Sequence, residues 1–216
     1  MKAGWSLAKK IVSFYPPGDW INKLKFWQRW ICTPYLTVEK FIPRQGRVLD
    51  LGCGWGWFSQ LLSLTAPQRL VFGFDISFRR LKVAHSLSAG RGFPFFGLGT
   101  LSAIKENCLQ AIVIYDMLHH LSYEQQEDCL YRAWHCLSNG GTVVIKENGT
   151  RPRWKYVVNY VIEIVALKTG YTLSEPLSFR RDEEWRYLLE NKGFKVSILR
   201  LTTWHPWPHL LIVGRK

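Results

Sequence analysis

Arg47 to Ser59 reads R-V-L-D-L-G-C-G-W-G-W-F-S, and the reading of this stretch decides the fold. Val48, Leu49 and Leu51 are the apolar run of a short buried strand, with Asp50 near its exit. Gly52, Gly54 and Gly56 then alternate through a tight turn, and an apolar helical pattern runs from Trp57 to Leu64. Glycine accepts positive φ and lets a ligand approach bare backbone. The helix start that follows offers unpaired N–H groups and the positive end of its dipole. A dinucleotide fingerprint, G-x-G-x-x-G/A, needs a small third residue for close helix–strand packing. This chain has Trp57 there, which is too bulky. The spacing is instead D-x-G-x-G-x-G. A Gly-rich turn with no ligand is the bland alternative.

The rest of the chain is consistent with one α/β domain. At 216 residues it can bury a sizeable core. The net charge of +13 is uneven. Residues 1–47 hold nine basic and two acidic side chains, residues 48–150 eight of each, and residues 151–216 twelve and six. A neutral centre with basic flanks favours an anionic partner: a phospholipid surface, nucleic acid, or a phosphorylated or carboxylated substrate. A basic surface serving solubility alone is the alternative. The five cysteines are odd in number and include no C-x-x-C pair, so neither a disulfide framework nor a zinc site is expected, and no metal is assigned. Reduced thiols suit a cytoplasmic protein. Lys9, Lys10 and Asp19 interrupt any signal-peptide pattern, and no run reaches the ~20 apolar residues that span a bilayer.

Residues 1–46 carry two amphipathic helical patterns separated by Pro16-Pro17-Gly18. Asp19 is the N-cap of the second, which places Trp20, Leu24, Trp27 and Ile31 on one face. Tryptophan interleaved with lysine suits a membrane interface, and the same helices could close over a cofactor as a lid; the two readings are compatible. Residues 1–31 are the segment expected to meet an anionic, inner-face membrane surface.

After the glycine turn, Arg69 to Phe74 is a second strand ending in Asp75, 23 residues beyond Gly52, where a doubly wound fold places an acid for ribose hydroxyls. A carboxylate can accept two hydrogen bonds from a vicinal diol. The usual alternative is a turn or cap residue. Ser77 is the N-cap of a helix through Ser88. Phe93 to Gly97 is a third strand and Leu109 to Tyr115 a fourth, ending in Y-D-M-L-H-H-L-S. Ser122 and Gln125 form a capping box for the helix Tyr123–Leu137. Ser138 to Gly141 is read as a turn and Thr142 to Lys146 as a fifth strand. Asp50, Asp75, Asp116 and Glu147 all fall at the carboxyl ends of strands, where ligands sit in open α/β sheets. Arg151, Arg153 and Lys155 precede an apolar helix of about fifteen residues, a cluster able to grip phosphate or carboxylate. A loop at Tyr171 to Ser178 follows, then a helix capped by Asp182-Glu183-Glu184. Phe194 to Leu201 and Leu210 to Gly214 are the last strands, with an aromatic loop, Thr202 to His209, between them.

The D-x-G-x-G-x-G stretch closely resembles motif I of the class I S-adenosylmethionine (SAM) dependent methyltransferases. D-M-L-H-H-L resembles motif IV of their small-molecule members, including the quinone-biosynthesis C-methyltransferases. The resemblance implies a Rossmann-like, seven-stranded, mostly parallel sheet with an antiparallel last strand and helices on both faces. It implies a methyltransferase domain over residues 47–216, a helical lid over 1–46 and a substrate-side insertion near 149–178. The cofactor would be SAM, held by Asp50, Gly52, Cys53, Gly54, Gly56, Asp75, Ile76, Thr100, Asp116 and Met117. The loop after the third strand departs from the pattern, because Gly99, Thr100 and Ser102 stand where many relatives have an acid for the adenine amino group. His119 or His120 is the nearest base for an acceptor that must lose a proton. Arg151, Arg153 and Lys155 are the candidate substrate grip. The implied activity is methyl transfer to a small, lipophilic or anionic acceptor. An RNA methyltransferase, a non-catalytic SAM binder and an NAD-dependent oxidoreductase are the alternatives. The chain lacks the N/D-P-P-Y/W motif of enzymes that methylate base amino groups.

Overall fold

A computed structural model describes residues 2–168, 177–201 and 207–216. The strands are β1 (Gly46–Leu51), β2 (Arg69–Asp75), β3 (Phe95–Leu98), β4 (Leu109–Tyr115), β5 (Leu137–Asn148), β6 (Lys195–Arg200) and β7 (His209–Arg215). They form one sheet in the order β3-β2-β1-β4-β5-β7-β6. β1 to β5 pair in parallel, and β7 runs antiparallel to both its neighbours, β5 and β6. This is the Rossmann-like sheet with an antiparallel last strand. Three helices precede it: α1 (Lys2–Val12), α2 (Trp20–Cys32) and α3 (Tyr35–Glu39). Five more follow: α4 (Trp57–Thr65), α5 (Phe78–Ser88), α6 (Tyr123–Cys136), α7 (Arg153–Lys168) and α8 (Asp182–Glu190).

The central strands are apolar on both faces because both faces are covered. Successive side chains alternate between them. Val48, Val71, Ala111 and Val113 join one core with Ala8 and Ile11 of α1, Phe26 of α2 and Leu61 and Leu62 of α4. Leu49, Leu51, Ile112, Ile114 and Ile145 join the other with Leu130 of α6 and Trp185 and Leu189 of α8. The same alternation sorts the polar residues at the strand ends. Asp50 shares the face of Val48, beneath α4, and Lys146 shares that of Val144. Glu147 turns to the opposite face, with Val143 and Ile145. This parity decides which network each charge enters.

Asp19, Ser77 and the Ser122/Gln125 box cap their helices as the spacing predicts. Several expectations need correction. Ser138 to Gly141 is not a separate turn: β5 starts at Leu137 and takes up the extra residues as a register shift, since Leu109 faces Leu137 while Ala111 faces Thr142. Gly140, at φ +75°, permits the irregularity. β3 starts at Phe95, two residues later than its apolar run suggests. Arg181, not the acidic triplet, is the N-cap of α8; Asp182, Glu183 and Glu184 form the first turn, against the positive dipole end. The five-residue α3 is too short to leave a periodic signal.

On α2, Phe26 is the buried residue, with Trp27 and Trp30 packed on the same core. Trp20 and Leu24 are 68% and 63% exposed, so most of the face grouped from the sequence looks outward. Trp5 of α1 stacks on Trp27 with ring centroids 5.6 Å apart. Tyr15 Oη accepts a 2.5 Å hydrogen bond from Trp57 Nε1, tying the α1–α2 segment to the start of α4. Residues 171–176 and 202–206, which include most of the two expected loops, lie outside the described residues.

Candidate active site

The glycine turn between β1 and α4 is fixed from two sides. Gly52 and Cys53 donate their N–H groups to Phe74 O at 2.7 and 3.0 Å, and Gly56 N–H donates to Cys53 O at 2.9 Å. Gly54 N–H donates to Asp75 Oδ2 at 2.8 Å, while Asp75 Oδ1 accepts from Ser77 N–H at 2.7 Å. Asp75 thus ties the turn to the end of β2. A carboxylate has about four lone-pair sites, so these two bonds leave capacity for a ligand. With those four amides engaged, the turn contributes space more than donors. Gly54 has φ +56° and no atom within 4 Å of where a Cβ would stand, an opening at the motif's centre. At Gly52 a Cβ would meet Met117 Cγ at 2.7 Å, so the loops after β1 and β4 adjoin.

Asp50 lies under the turn, nearly fully buried, and accepts from Ser59 Oγ at 2.5 Å. Burial pushes its carboxyl up to about 7, with Ser59 pulling the other way. Burial, with Asp50 and Asp75 near, pushes the Cys53 thiol well above the usual thiol range. At the ends of β2 and β3, Ile76 and Leu98 expose their apolar side chains, 72% and 67%. The Thr100 and Ser102 hydroxyls share a 2.7 Å hydrogen bond. An open glycine turn, a ribose-competent acid and exposed aliphatic groups on adjacent strand ends fit SAM.

Beyond β4 the chain enters a positive φ at Asp116 (+49°) and then a 3-10 turn, Leu118–His120. The Asp116 carboxylate is ion-paired on both oxygens, with Arg29 Nη2 from α2 and Lys146 Nζ from β5, each at 2.5 Å. Burial alone would raise its pKa; Lys146 and Arg29 outweigh this and hold it well below the usual carboxylate range. Burial lowers the Lys146 pKa, with Asp116 opposing. On the other face Glu147 organises the same turn. Its Oε1 accepts from the N–H groups of Met117 and Leu118 at 3.1 and 2.7 Å, and its Oε2 lies 2.5 Å from His119 Nδ1.

His119 is 1% exposed and stacks on Phe179 at 5.0 Å. Burial opposes its protonation, but Glu147 prevails and its pKa rises. His120 lies 4.0 Å from His119 between ring centroids. Burial, reinforced by His119, takes its pKa down to about 3. Glu163 reaches in from α7, its Oε1 3.8 Å from His119 Nε2. One turn earlier on that helix Asn159 is fully buried, and neither its Oδ1 nor its Nδ2 has a partner. His119 Nε2 and His120 Nδ1 are likewise buried and unpartnered.

The residues of the β1, β2 and β4 loops named from the sequence thus lie at the carboxyl edge of adjacent strands, with Gly52 against Met117. Arg151 and Arg153 stay exposed at the start of α7; Arg151 lies 4.0 Å from Glu183. Lys155 is half-buried with its Nζ 5.5 Å from the Trp154 ring centre. Sequence reading missed Arg29, Asn159 and Glu163, and gave Lys146 no role. Only Lys146 left a signal: a lysine closing the apolar run Val143-Val144-Ile145 must find a buried partner. No metal was assigned, yet His119, His120 and Glu163 bring three ligand-bearing side chains together.

Sheet order, glycine turn and acidic strand ends are those of the class I methyltransferase fold, and SAM is the cofactor they fit. Residues 48–141 match the family model described as "Methyltransferase domain". It is similar to malonyl-[acyl-carrier protein] O-methyltransferase of Legionella pneumophila, 44% identical over 56 residues. That alignment spans 26% of this chain and 19% of the relative's length. The fold is similar to an S-adenosylmethionine dependent methyltransferase from Mesorhizobium loti, with TM-score 0.68, 17% identity, and 87% of this chain and 97% of that one covered. It is also similar to phosphoethanolamine N-methyltransferase 2 of Haemonchus contortus, solved with S-adenosyl-L-methionine, with TM-score 0.65, 14% identity, and 84% of this chain and 52% of that one covered.

Proposed function

We propose that the chain transfers the SAM methyl group to a small, lipophilic or anionic acceptor bound between the β4 loop and α7. The observation that carries this reading is the set of buried, unpartnered polar atoms on His119, His120 and Asn159, because such atoms cost free energy unless something satisfies them. SAM supplies an electrophilic methyl carbon on a sulfonium, with a neutral thioether as leaving group. The protein's tasks are to align the acceptor and exclude water. Asp50 and the turn from Gly52 to Gly56 hold the methionine end, Asp75 the ribose, and Ile76, Thr100 and Met117 border the base and methyl face. Asp116, bound to Arg29, anchors α2 as a cover over this edge. His119, oriented through Nδ1 by Glu147, presents Nε2 toward an acceptor and is the group placed to activate it. A relative named for O-methylation of a malonyl carrier protein supports an oxygen acceptor.

Lipophilicity is argued from α2 and α7. Trp20, Ile21 and Leu24 on one, and Trp154, Val157, Val161 and Val165 on the other, are exposed beside basic residues. Residues 1–31 are proposed to dock on an anionic membrane surface, and Arg151, Arg153 and Lys155 to meet an anionic part of the acceptor. The test is incubation with methyl-labelled SAM and separate lipid, small-metabolite and RNA extracts. Label is expected in the lipid or metabolite fraction, and His119→Ala should lose transfer while retaining SAM binding. Label in RNA alone would replace this reading.

A further inference from the structure

We propose that His119, His120 and Glu163 form a binding site for a divalent transition-metal ion of the zinc class between the β4 loop and α7. The potential ligand atoms of these residues all lie within 4.8 Å of one another. An ion held tetrahedrally at about 2.0–2.2 Å sets ligand atoms roughly 3.3–3.6 Å apart. The 3.8 Å from His119 Nε2 to Glu163 Oε1 is close to that edge, so modest side-chain rotation completes the triangle. Two imidazoles and one carboxylate are the donor set of open zinc and non-haem iron sites, which keep a position for water or substrate.

Three further observations point to a missing ligand. His119 Nε2 and His120 Nδ1 are buried with no hydrogen-bond partner, and the His119 side chain is only 2% exposed. The opposite nitrogen of His119 meets Glu147 Oε2 at 2.5 Å, the carboxylate–histidine support that metal-ligating histidines commonly have. Glu147 is itself braced by the Met117 and Leu118 amides, which fixes the ring. Third, Asn159, on the same face of α7 as Glu163, is buried with its amide unsatisfied on both atoms.

Charge agrees with geometry. Asp116 is answered by Arg29 and Lys146. Glu147 and Glu163 face the two histidines with no arginine or lysine ion-paired to either among the described residues. A cation between His119 Nε2 and Glu163 would satisfy both. With the ion in place His119 Nε2 is a ligand and not a base; the ion would take over that role, holding an oxygen of the acceptor and lowering the pKa of a bound hydroxyl. That last role rests on the methyltransferase reading; metal binding does not.

The test uses the full chain after chelator treatment, titrated with Zn²⁺ against a chromophoric chelator and with Co²⁺ by visible absorption. One ion per chain is expected, with ligand-field bands of a four- or five-coordinate nitrogen–oxygen site and no intense thiolate charge-transfer band. Glu163→Gln should weaken Zn²⁺ binding at least tenfold, and the outer-shell change Glu147→Gln by 10–100-fold. Circular dichroism and SAM calorimetry on the same samples separate loss of the site from loss of the fold. A folded, SAM-binding chain that takes up no Zn²⁺ would overturn the proposal. So would uptake unchanged in the double variant His120→Ala/Glu163→Gln, or a thiolate spectrum, which would move the ion to the cysteines. Failure to bind SAM with Zn²⁺ uptake intact would instead count against the methyltransferase reading alone.

Discussion

The residue with the plainest consequence is Asp50. A carboxyl whose folded pKa is near 7 holds its proton in the native state over a range where the unfolded chain, near 3.8, has released it. The native state then binds more protons than the unfolded one, so this residue's contribution to stability falls as pH rises from about 4 to 7. The proposed contact with the cofactor ammonium would reverse the preference and expel the proton. SAM affinity should therefore rise roughly fivefold between pH 6 and 7, with proton release visible as a buffer-dependent heat. Asp50→Asn should remove most of that dependence. An Asn variant with the same pH profile would take Asp50 out of the methionine end. Asp75 is different: it accepts from the Gly54 and Ser77 amides, so its loss would loosen the turn as well as remove the proposed ribose contact.

Among elements, β5 sets the site by sending Lys146 and Glu147 to opposite faces. Lys146 locks Asp116 and, through it, α2; Glu147 locks the β4 loop and His119. Lys146→Met removes one partner of a buried ion pair and leaves Asp116 to Arg29 alone. We expect destabilisation of about 3 kcal/mol, measured by denaturant unfolding, because an under-compensated buried carboxylate is costly. A variant as stable as the parent would mean that Arg29 suffices. These networks also mark the limit of sequence reading. β1, β2, β4 and helices α4 to α6 were legible because apolar runs, caps and glycine spacing are local signals. Arg29 with Asp116, 87 positions apart, and His119 with Glu163 on α7 are products of packing, and no local pattern announces them. The stretch Ser138–Gly141 has the same origin: these turn-type residues are held along β5 by bonds to chain distant in sequence, Gly140 N–H to Lys216 O and Lys216 N–H to Gly141 O. The outward Trp20 and Leu24 show that a helical face can be read while its direction cannot.

For the whole molecule, charge and exposed aromatics decide the surroundings it favours. Among the described residues no helix is long and apolar enough to cross a membrane. Docking on a surface needs less. Exposed Trp20, Ile21 and Leu24 accompany Lys23 and Lys25, and basic residues near an anionic surface contribute about 1 kcal/mol each before screening. Co-sedimentation with anionic vesicles should fall with added salt, and Trp20→Ser/Leu24→Ser should weaken it; equal pelleting with anionic, neutral and no vesicles would leave the N-terminal helices as a cover only. Every assignment at the carboxyl edge depends on what occupies the Gly52–Gly56 turn, and calorimetry of the full chain with SAM, S-adenosylhomocysteine and NAD tests this most directly. Micromolar-range, one-site binding of the first two and none of NAD is predicted. In a folded Gly54→Val variant SAM binding should disappear, since a branched side chain would fill the opening that glycine leaves at φ +56°. NAD binding, or undiminished SAM binding in that variant, would contradict the account.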